Sequence, residues 1–338
     1  MARRIVTVFG GSGFLGRHVV QRLAADGFTV RVAVRDTEAA SFLKPLGGPG
    51  QIVPIKASVT DPEAVALVVK GAQAVVNLVG ILYESGRATF RLIHAEGAAI
   101  VAKASAAAGV KRLVHVSALG ADAASPSAYA RTKAEGEAAV LEAFPGATIL
   151  RPSVVFGPED GFFNLFASLA TVSPVLPVMG APFPPKVTLF GGGDSLVDID
   201  LYGGGGPRFQ PVYVEDVAES VRAALTDTAA KGRIFEVVGP KTYSFKEVME
   251  LVLSATGRRC WLMPVPFWLA RLQAAILGLL PKPLLTKDQV ILLGRDNIAT
   301  GTLPTQAGLG VGATAAEGIL PAYLGRFRPQ LKQAERLA

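Results

Sequence analysis

The chain opens on RIVTVFG, a run of β-branched and apolar residues at 3–9. It then takes the helical spacing of HVVQRLAADG, ending at Gly27, a residue suited to a C-cap. FTVRVAVRD predicts a second strand, and QIVPIKA a third after a loop rich in Gly and Pro. DPEAVALVVKG predicts a helix with Asp61 as its cap and Pro62 in its first position. AQAVVNLVG and KRLVHVSALG predict two further strands on either side of one long helix, FRLIHAEGAAIVAKASAAAG. A helix from Tyr129 to Phe144 follows, and then ATILRPSVVFG. Strands alternating with helices predict an α/β fold, a Rossmann-type doubly wound parallel sheet with right-handed crossovers.

Past Pro158 this rhythm breaks. Residues 174–207 hold eight Gly and six Pro, with VTLF and VDIDLY as the strands of an inserted hairpin. RFQPVYVEDVAESVRAAL predicts a return to the main sheet, with a helix from near Glu215. The expected organisation is therefore a dinucleotide-binding domain at 1–157 to which 208–238 return, a Gly/Pro-rich insertion at 158–207, and a smaller, mostly helical C-terminal domain at 239–338 that ends in a loose tail.

Composition narrows the function classes. Half of the 338 residues are hydrophobic and only 18% are charged, which excludes extensive disorder. A single Cys260 excludes an internal disulfide framework, and His18, His94 and His115 lack metal-ligand spacing, so no metal is expected. MARRIVTVFG runs into the first strand without a leader, which predicts a bacterial, cytosolic chain. The net charge of +7 is concentrated late: residues 231–338 carry 14 Lys and Arg against 7 Asp and Glu. FWLARLQAAILGLL, residues 267–280, is too short for a membrane crossing, which takes about 20 residues. It reads either as a core helix or as an interfacial surface, extending over 258–295, for a subunit or for headgroups. No nucleic-acid module is present, and none is expected to bind.

FGGSGFLG sets Gly10, Gly13 and Gly16 between strand and helix, together with Ser12, Phe14 and Leu15. This order suits a dinucleotide: a tight turn at Gly10, close approach to pyrophosphate at Gly13, packing at Gly16, and a helix N-terminus facing the anion. Arg35 stands nineteen residues beyond Gly16, where NAD enzymes place a carboxylate on the ribose 2′-hydroxyl. A guanidinium there suits a 2′-phosphate, so NADP(H) is expected, with Arg17 as a second positive contact. The neighbouring Asp36 leaves NAD open. Asp61 either touches adenine or only caps its helix, and Leu78, Val79 and Gly80 supply backbone along the adenosine ribose.

GGSGFLG, NLVG, VHVSALGA, YARTK and RPSVVFGPED together resemble the short-chain dehydrogenase/reductase superfamily, of its extended or atypical kind. SPSAYARTKAEGE, RPSVVFGPEDGFFN, RFQPVYVEDVA, GPKTYSFKEVMELV, PVPFWLARLQAAI and LTKDQVILLGRDN are similar, over nearly the whole chain, to the nucleotide-binding accessory subunit of respiratory complex I and its bacterial relatives. The resemblance implies tightly bound NADPH, with Pro152 among the cofactor contacts. It also implies a structural place among complex I subunits near the junction of the hydrophilic and membrane arms, peripheral on the cytoplasmic face of the bacterial inner membrane. The chain is expected to depart from mitochondrial members in lacking a presequence and in carrying the hairpin insertion.

In an active member of the superfamily a tyrosinate is the base, a lysine supports it and grips the nicotinamide ribose, and a serine orients the substrate. Tyr129 and Lys133, four residues apart on one helix face, and Ser117 fill those roles if the site is active. Ser117 lies only twelve residues before Tyr129, so Ser125 and Ser127 compete for the serine's part. The same tyrosine and lysine hold the ribose in a chain that turns nothing over. Three readings stand: a nucleotide-holding subunit, an active reductase of a lipophilic or quinone-pathway carbonyl, and a redox-sensing NADP-binding protein.

Overall fold

In the computed structural model, which describes residues 4–182, 186–189, 197–278, 280, 283 and 285–329, the chain divides into two compact units. One comprises Met1–Ser153, Val212–Val238 and Ala299–Ala313; the other comprises Val154–Pro211, Gly239–Ile298 and Thr314–Ala338.

The first unit is built on seven strands: β1 (Ile5–Phe9), β2 (Thr29–Val34), β3 (Ile52–Lys56), β4 (Ala74–Asn77), β5 (Arg112–Val116), β6 (Thr148–Pro152) and β7 (Ile234–Val237). They pair in parallel in the order β7-β6-β5-β4-β1-β2-β3, the doubly wound Rossmann arrangement expected from the sequence. Helices cover both faces of such a sheet, which is why strands such as IVTVF are apolar at almost every position rather than at alternate ones. Val6 and Val8 of β1 stand opposite Val30 and Val32 of β2, and all four are fully buried. The chain reverses direction across the sheet between β1 and β4, so a crevice opens beyond their carboxyl ends.

Helix α1 (Phe14–Ala25) ends as expected, with Gly27 at φ +80° and its N–H on the Ala24 carbonyl. Helix α2 (Pro62–Val69) begins at Asp61, whose side chain accepts from the N–H groups of Glu63 and Ala64, both at 3.1 Å. The helix expected over 90–109 is not uniform. Residues Arg91–Glu96 form a π-helical turn, and only Gly97–Ala107 (α3) is α-helical. Helix α4 (Ala128–Ala143) packs on that turn so closely that a Cβ at Gly136 would lie 2.1 Å from the His94 carbonyl oxygen.

The limits of the first unit differ from the expected 1–157 with 208–238. Val154 falls in the second unit, and Ala299–Ala313, read from the sequence as part of the C-terminal domain, joins the first. The reason is the edge of the sheet: β7 needs partners for its outer backbone groups. Pro304 O accepts from Glu236 N at 2.9 Å, and Gln306 bonds both the N–H and the carbonyl of Val238. The Glu236 carboxylate, wholly buried, accepts from the N–H and hydroxyl of Thr300 at 2.9 and 2.8 Å.

The second unit unites residues expected to be a separate insertion with those of the C-terminal domain. Val175–Met179 pairs in parallel with Trp261–Val265, and the backbone of Lys186–Leu189 pairs antiparallel with Val197–Asp200. Phe162, Phe163, Phe166, Phe209 and Phe245 form an aromatic cluster with centroid separations between 5.4 and 6.4 Å. Helix Phe245–Thr256 starts in a capping box of Ser244 and Glu247, and helix Ala316–Leu324 sends the Tyr323 hydroxyl to the buried Asp160 carboxylate at 2.5 Å.

Candidate nucleotide-binding site

The turn from β1 into α1 is shaped by three glycines for three different steric reasons. Gly10 has φ +78°, a left-handed conformation that side chains resist. Gly16 lies under the turn, and a Cβ there would come 2.2 Å from the Gly10 carbonyl oxygen. Gly11 is the glycine packed on the sheet: its Cβ would lie 2.5 Å from Val32 Cγ1 and 3.0 Å from Val20 Cγ2. Gly16, expected to pack helix on strand, meets the backbone of the turn, and Gly11 adds the contact with the sheet. Gly13, by contrast, is exposed, with φ −77°, and the nearest atom to a Cβ there is Gly10 O at 3.3 Å. The N-cap Gly13 offers no capping side chain, and the first turn of α1 holds no acidic residue, so the positive dipole end of the helix is left for an anion. Ser12, Phe14 and Leu15 are half-buried around this turn, and the Arg17 guanidinium lies over the Phe42 ring at 5.0 Å.

At the end of β2, Arg35 and Asp36 are both exposed, but they are not equivalent. Asp36 Oδ1 accepts from the N–H groups of Glu38 and Ala39 at 3.0 and 3.1 Å, so that carboxylate serves its own turn. Asp61 serves α2 in the same way. Leu78 and Val79 follow β4; Leu78 N donates to Phe9 O at 3.0 Å and Val79 N to the buried Asn77 side chain at 3.1 Å. Pro152 closes β6, its carbonyl accepting from Leu119 N at 2.8 Å.

The second part of the site lies where β4 and β5 end against α4. Lys133 is buried, and its Nζ reaches Val116 O at 3.4 Å and sits 6.0 Å from the centre of the half-buried Tyr129 ring. Burial pushes the Lys133 ammonium down to about 8 against the pull of Glu137. Glu137 is itself held by Arg151 in a two-pronged pair at 2.9 and 2.6 Å. Gly80 passes close by: a Cβ there would stand 3.2 Å from Lys133 Nζ.

Of the three candidate serines, two have local duties. Ser127 caps α4 by accepting from Ala130 N at 3.2 Å, and Ser125 accepts from Ser127 N at 3.2 Å. Ser117 Oγ is buried without a hydrogen-bond partner among the described residues, as are both ring nitrogens of His115, two residues earlier on the same face of the strand. Buried polar atoms of this kind are rarely left unsatisfied, which makes this corner a candidate for contact with a polar ligand group. His115 is pushed down to about 3 by burial, then by the charge of Lys133 and by His94, and stays neutral.

Two participants were missed from the sequence, which weighed the histidines only as metal ligands. His94, from the π-helical turn, stacks on Phe90 at 5.4 Å and meets the Tyr129 ring edge-on at 5.2 Å. His115 sits in LVHV, and the one signal for it was a polar residue inside a strand buried on both faces.

Comparisons with known proteins identify the nucleotide-binding fold and the family. Residues 10–155 match the family model for NAD(P)H-binding proteins. The Thermus thermophilus UDP-glucose 4-epimerase, solved in complex with NAD, superposes with a TM-score of 0.63 over 97% of this chain and all of its own, at 18% identity, which shows the shared fold. The ceramide reductase of Caulobacter vibrioides is 37% identical over 178 residues, 53% of this chain and 55% of its own. The mitochondrial NADH dehydrogenase (ubiquinone) 1 alpha subcomplex subunit 9 of Arabidopsis thaliana is 35% identical over 305 residues, which cover 88% of this chain and 69% of that protein. With this degree of identity over 88% of its length, well beyond the residues that match the nucleotide-binding model, the chain belongs to the family of NADH dehydrogenase (ubiquinone) 1 alpha subcomplex subunit 9.

Proposed function

We propose that this protein is an NADP(H)-binding accessory subunit of respiratory complex I, the NADH:ubiquinone oxidoreductase, and that it holds its nucleotide without turnover. One observation carries the reading: the relatedness to a complex I subunit extends over 88% of the chain, so it includes the second unit as well as the nucleotide fold.

The residues suit the nucleotide. The uncapped start of α1, from Ser12 to Gly16, receives the pyrophosphate, which explains why Gly13 is exposed and bare. Arg35 takes the 2′-phosphate, since the adjacent Asp36 carboxylate is committed to its own loop. Leu78, Val79 and Gly80 line the adenosine ribose, Pro152 adds a further contact, and Tyr129 and Lys133 grip the nicotinamide ribose. Bound NADP(H) would bring hydride chemistry to this site; the chain's own part is to orient the nucleotide and retain it.

The partner surface is assigned to residues 258–295. Trp268, Leu272 and Ile276 are exposed at successive four-residue steps of helix Phe267–Leu277, with Trp261 and Met263 exposed on the preceding strand and Arg271 among them. An apolar, basic face of this kind fits the junction of the hydrophilic and membrane arms, on the cytoplasmic side of a bacterial inner membrane. Peripheral attachment is part of this reading; no helix among the described residues is long and apolar enough to cross a membrane.

A second reading is favoured by the likeness to ceramide reductase and by the unpartnered Ser117 hydroxyl: an NADPH-dependent short-chain reductase of a lipophilic carbonyl. In it Ser117 orients the carbonyl, Tyr129 passes the proton, and Lys133 supports both. Purification of a tagged copy from its native membranes in mild detergent decides between them. Complex I subunits co-isolating with a chain that carries NADP(H) by mass spectrometry, and unimpaired respiration in a Tyr129→Phe strain, are expected. A chain without those subunits that oxidises NADPH only when Tyr129 is present would overturn the subunit reading.

A further inference from the structure

His94 is one of the most enclosed polar residues of the first unit, and its hydrogen bonds leave no freedom in where its proton sits. Nε2 accepts from the backbone N–H of Ile81 at 3.0 Å, so Nε2 carries no hydrogen. The proton is therefore on Nδ1, which faces Thr132 Oγ1 at 3.1 Å. Thr132 in turn donates to Ala128 O at 2.8 Å, which leaves its oxygen to accept from His94. One unbroken chain of donors thus runs from the loop after β4, through His94, into the first turns of α4.

The two ends of that chain hold the two sides of the site. Ile81 follows Gly80, whose backbone passes so near Lys133 that a Cβ would lie 3.2 Å from Nζ and 3.7 Å from His94 Nε2. Thr132 precedes Lys133 and follows Tyr129 by three residues. The imidazole also orients the tyrosine: the His94 and Phe90 rings are stacked 23° from parallel, and Tyr129 stands edge-on to both, at 86° and 84°. The π-helical turn brings His94 to this place, with α4 seated on its carbonyl at Gly136. Protonation is excluded at any ordinary pH, because burial and then the Lys133 charge push the imidazole down to about 3, and a protonated Nε2 could not accept from Ile81.

We propose that His94 is a positioning residue for the nucleotide: as a fixed neutral Nδ1–H tautomer it ties the Gly80–Ile81 backbone to α4, and so sets the gap in which Tyr129 and Lys133 hold a ribose. This inference rests on the nucleotide-holding reading above, and goes beyond it in assigning the width of the gap to a residue that need not touch the nucleotide.

The test uses the full chain and NADPH as the probe. His94→Phe keeps a ring to stack on Phe90 and removes both hydrogen bonds; it is expected to fold and to bind NADPH roughly tenfold more weakly, the scale of one lost hydrogen bond. His94→Gln offers an acceptor and a donor again, and should recover most of that loss, which a purely space-filling role would not allow. Imidazole nitrogen NMR of the wild-type protein should show an unprotonated Nε2 and a protonated Nδ1 unchanged between pH 5 and 8, whatever the variants do. Wild-type affinity in a folded His94→Phe chain, a His94→Gln chain no better than His94→Phe, or an Nε2–H tautomer would each overturn the inference. A wild-type chain that binds no NADPH would instead overturn the nucleotide reading, leaving the tautomer to decide whether His94 ties loop to helix.

Discussion

The glycine turn and the Lys133 pocket face the same crevice but are made in opposite ways. The turn is seven consecutive residues, works through its backbone, and depends on side chains being absent. The pocket draws Gly80, His94, His115, Ser117, Tyr129 and Lys133 from four separate elements, and depends on polar side chains being buried. Failure therefore differs between them: an added methyl group breaks the turn, whereas the pocket is sensitive to charge and to the loss of a hydrogen bond.

Within the turn, the sharpest contrast lies between Gly16 and Gly13. Alanine at Gly16 would put its Cβ 2.2 Å from the Gly10 carbonyl, and backbone cannot step aside as a side chain can. Gly16→Ala should cost about 3 kcal/mol of stability, the upper end of ordinary overpacking, and abolish nucleotide retention. Gly13→Ala meets only Gly10 O at 3.3 Å, at a φ of −77° that alanine adopts freely, so the fold should lose less than about 1 kcal/mol while nucleotide affinity falls. Urea unfolding and NADPH titration of both variants check this. Equal losses of stability would show that the turn, too, works by something other than steric fit.

In the pocket the decisive quantity is charge. Lys133 has its ammonium pushed down to about 8 by burial, below the 10.4 or so of an unfolded chain. Between these values the unfolded state binds more protons, so the wild-type fold gains stability as pH rises through that window and loses it as pH falls. Lys133→Met removes the titration. The stability of wild type relative to Lys133→Met should therefore improve by about 3 kcal/mol from pH 8 to pH 10.5, most of it measurable by urea unfolding at pH 7.5 and 10. A difference that stays constant with pH would mean that Lys133 is not held as a buried ammonium.

Arg35 lies beyond both regions, exposed and fixed by neither shape nor burial. Arg35→Glu should weaken NADP(H) roughly thirtyfold more than NAD(H), through the loss of charge-assisted bonds to the 2′-phosphate. Binding isotherms for the two nucleotides measure the ratio, and equal losses would remove the case for NADP(H).

The same contrast explains how far the sequence could be read. The alternation of strands and helices, the glycine turn, the Asp61 cap and the Gly27 stop were legible because each depends on neighbours a few residues away. His94 was not, since its partners Ile81 and Thr132 lie 13 and 38 positions off, and the π-helical turn that delivers it has no pattern distinct from the α-helix expected over 90–109. Ala299–Ala313 was misplaced for a related reason. GTLPTQAGLG carries no strand signature and finds its place only because β7 exposes an edge. Ser117, Ser125 and Ser127 stand level in the sequence, and only the structure separates them, because the hydroxyls of Ser125 and Ser127 accept from N–H groups of their own turn.

Asp61 gives the smallest expected effect and separates a local device from a ligand contact. Its carboxylate accepts from two N–H groups of α2 at 3.1 Å each, which accounts for an aspartate before proline without any nucleotide. Asp61→Ala should cost about 1 kcal/mol, the usual value of such a cap, and leave the NADPH dissociation constant unchanged. Asp61→Asn should restore most of the stability, because an amide oxygen also caps. If affinity falls in the alanine variant and stays low in the asparagine variant while stability returns, the carboxylate reaches the adenine as well as its helix. Sequence-local residues would then contribute to the site through charge as well as through shape.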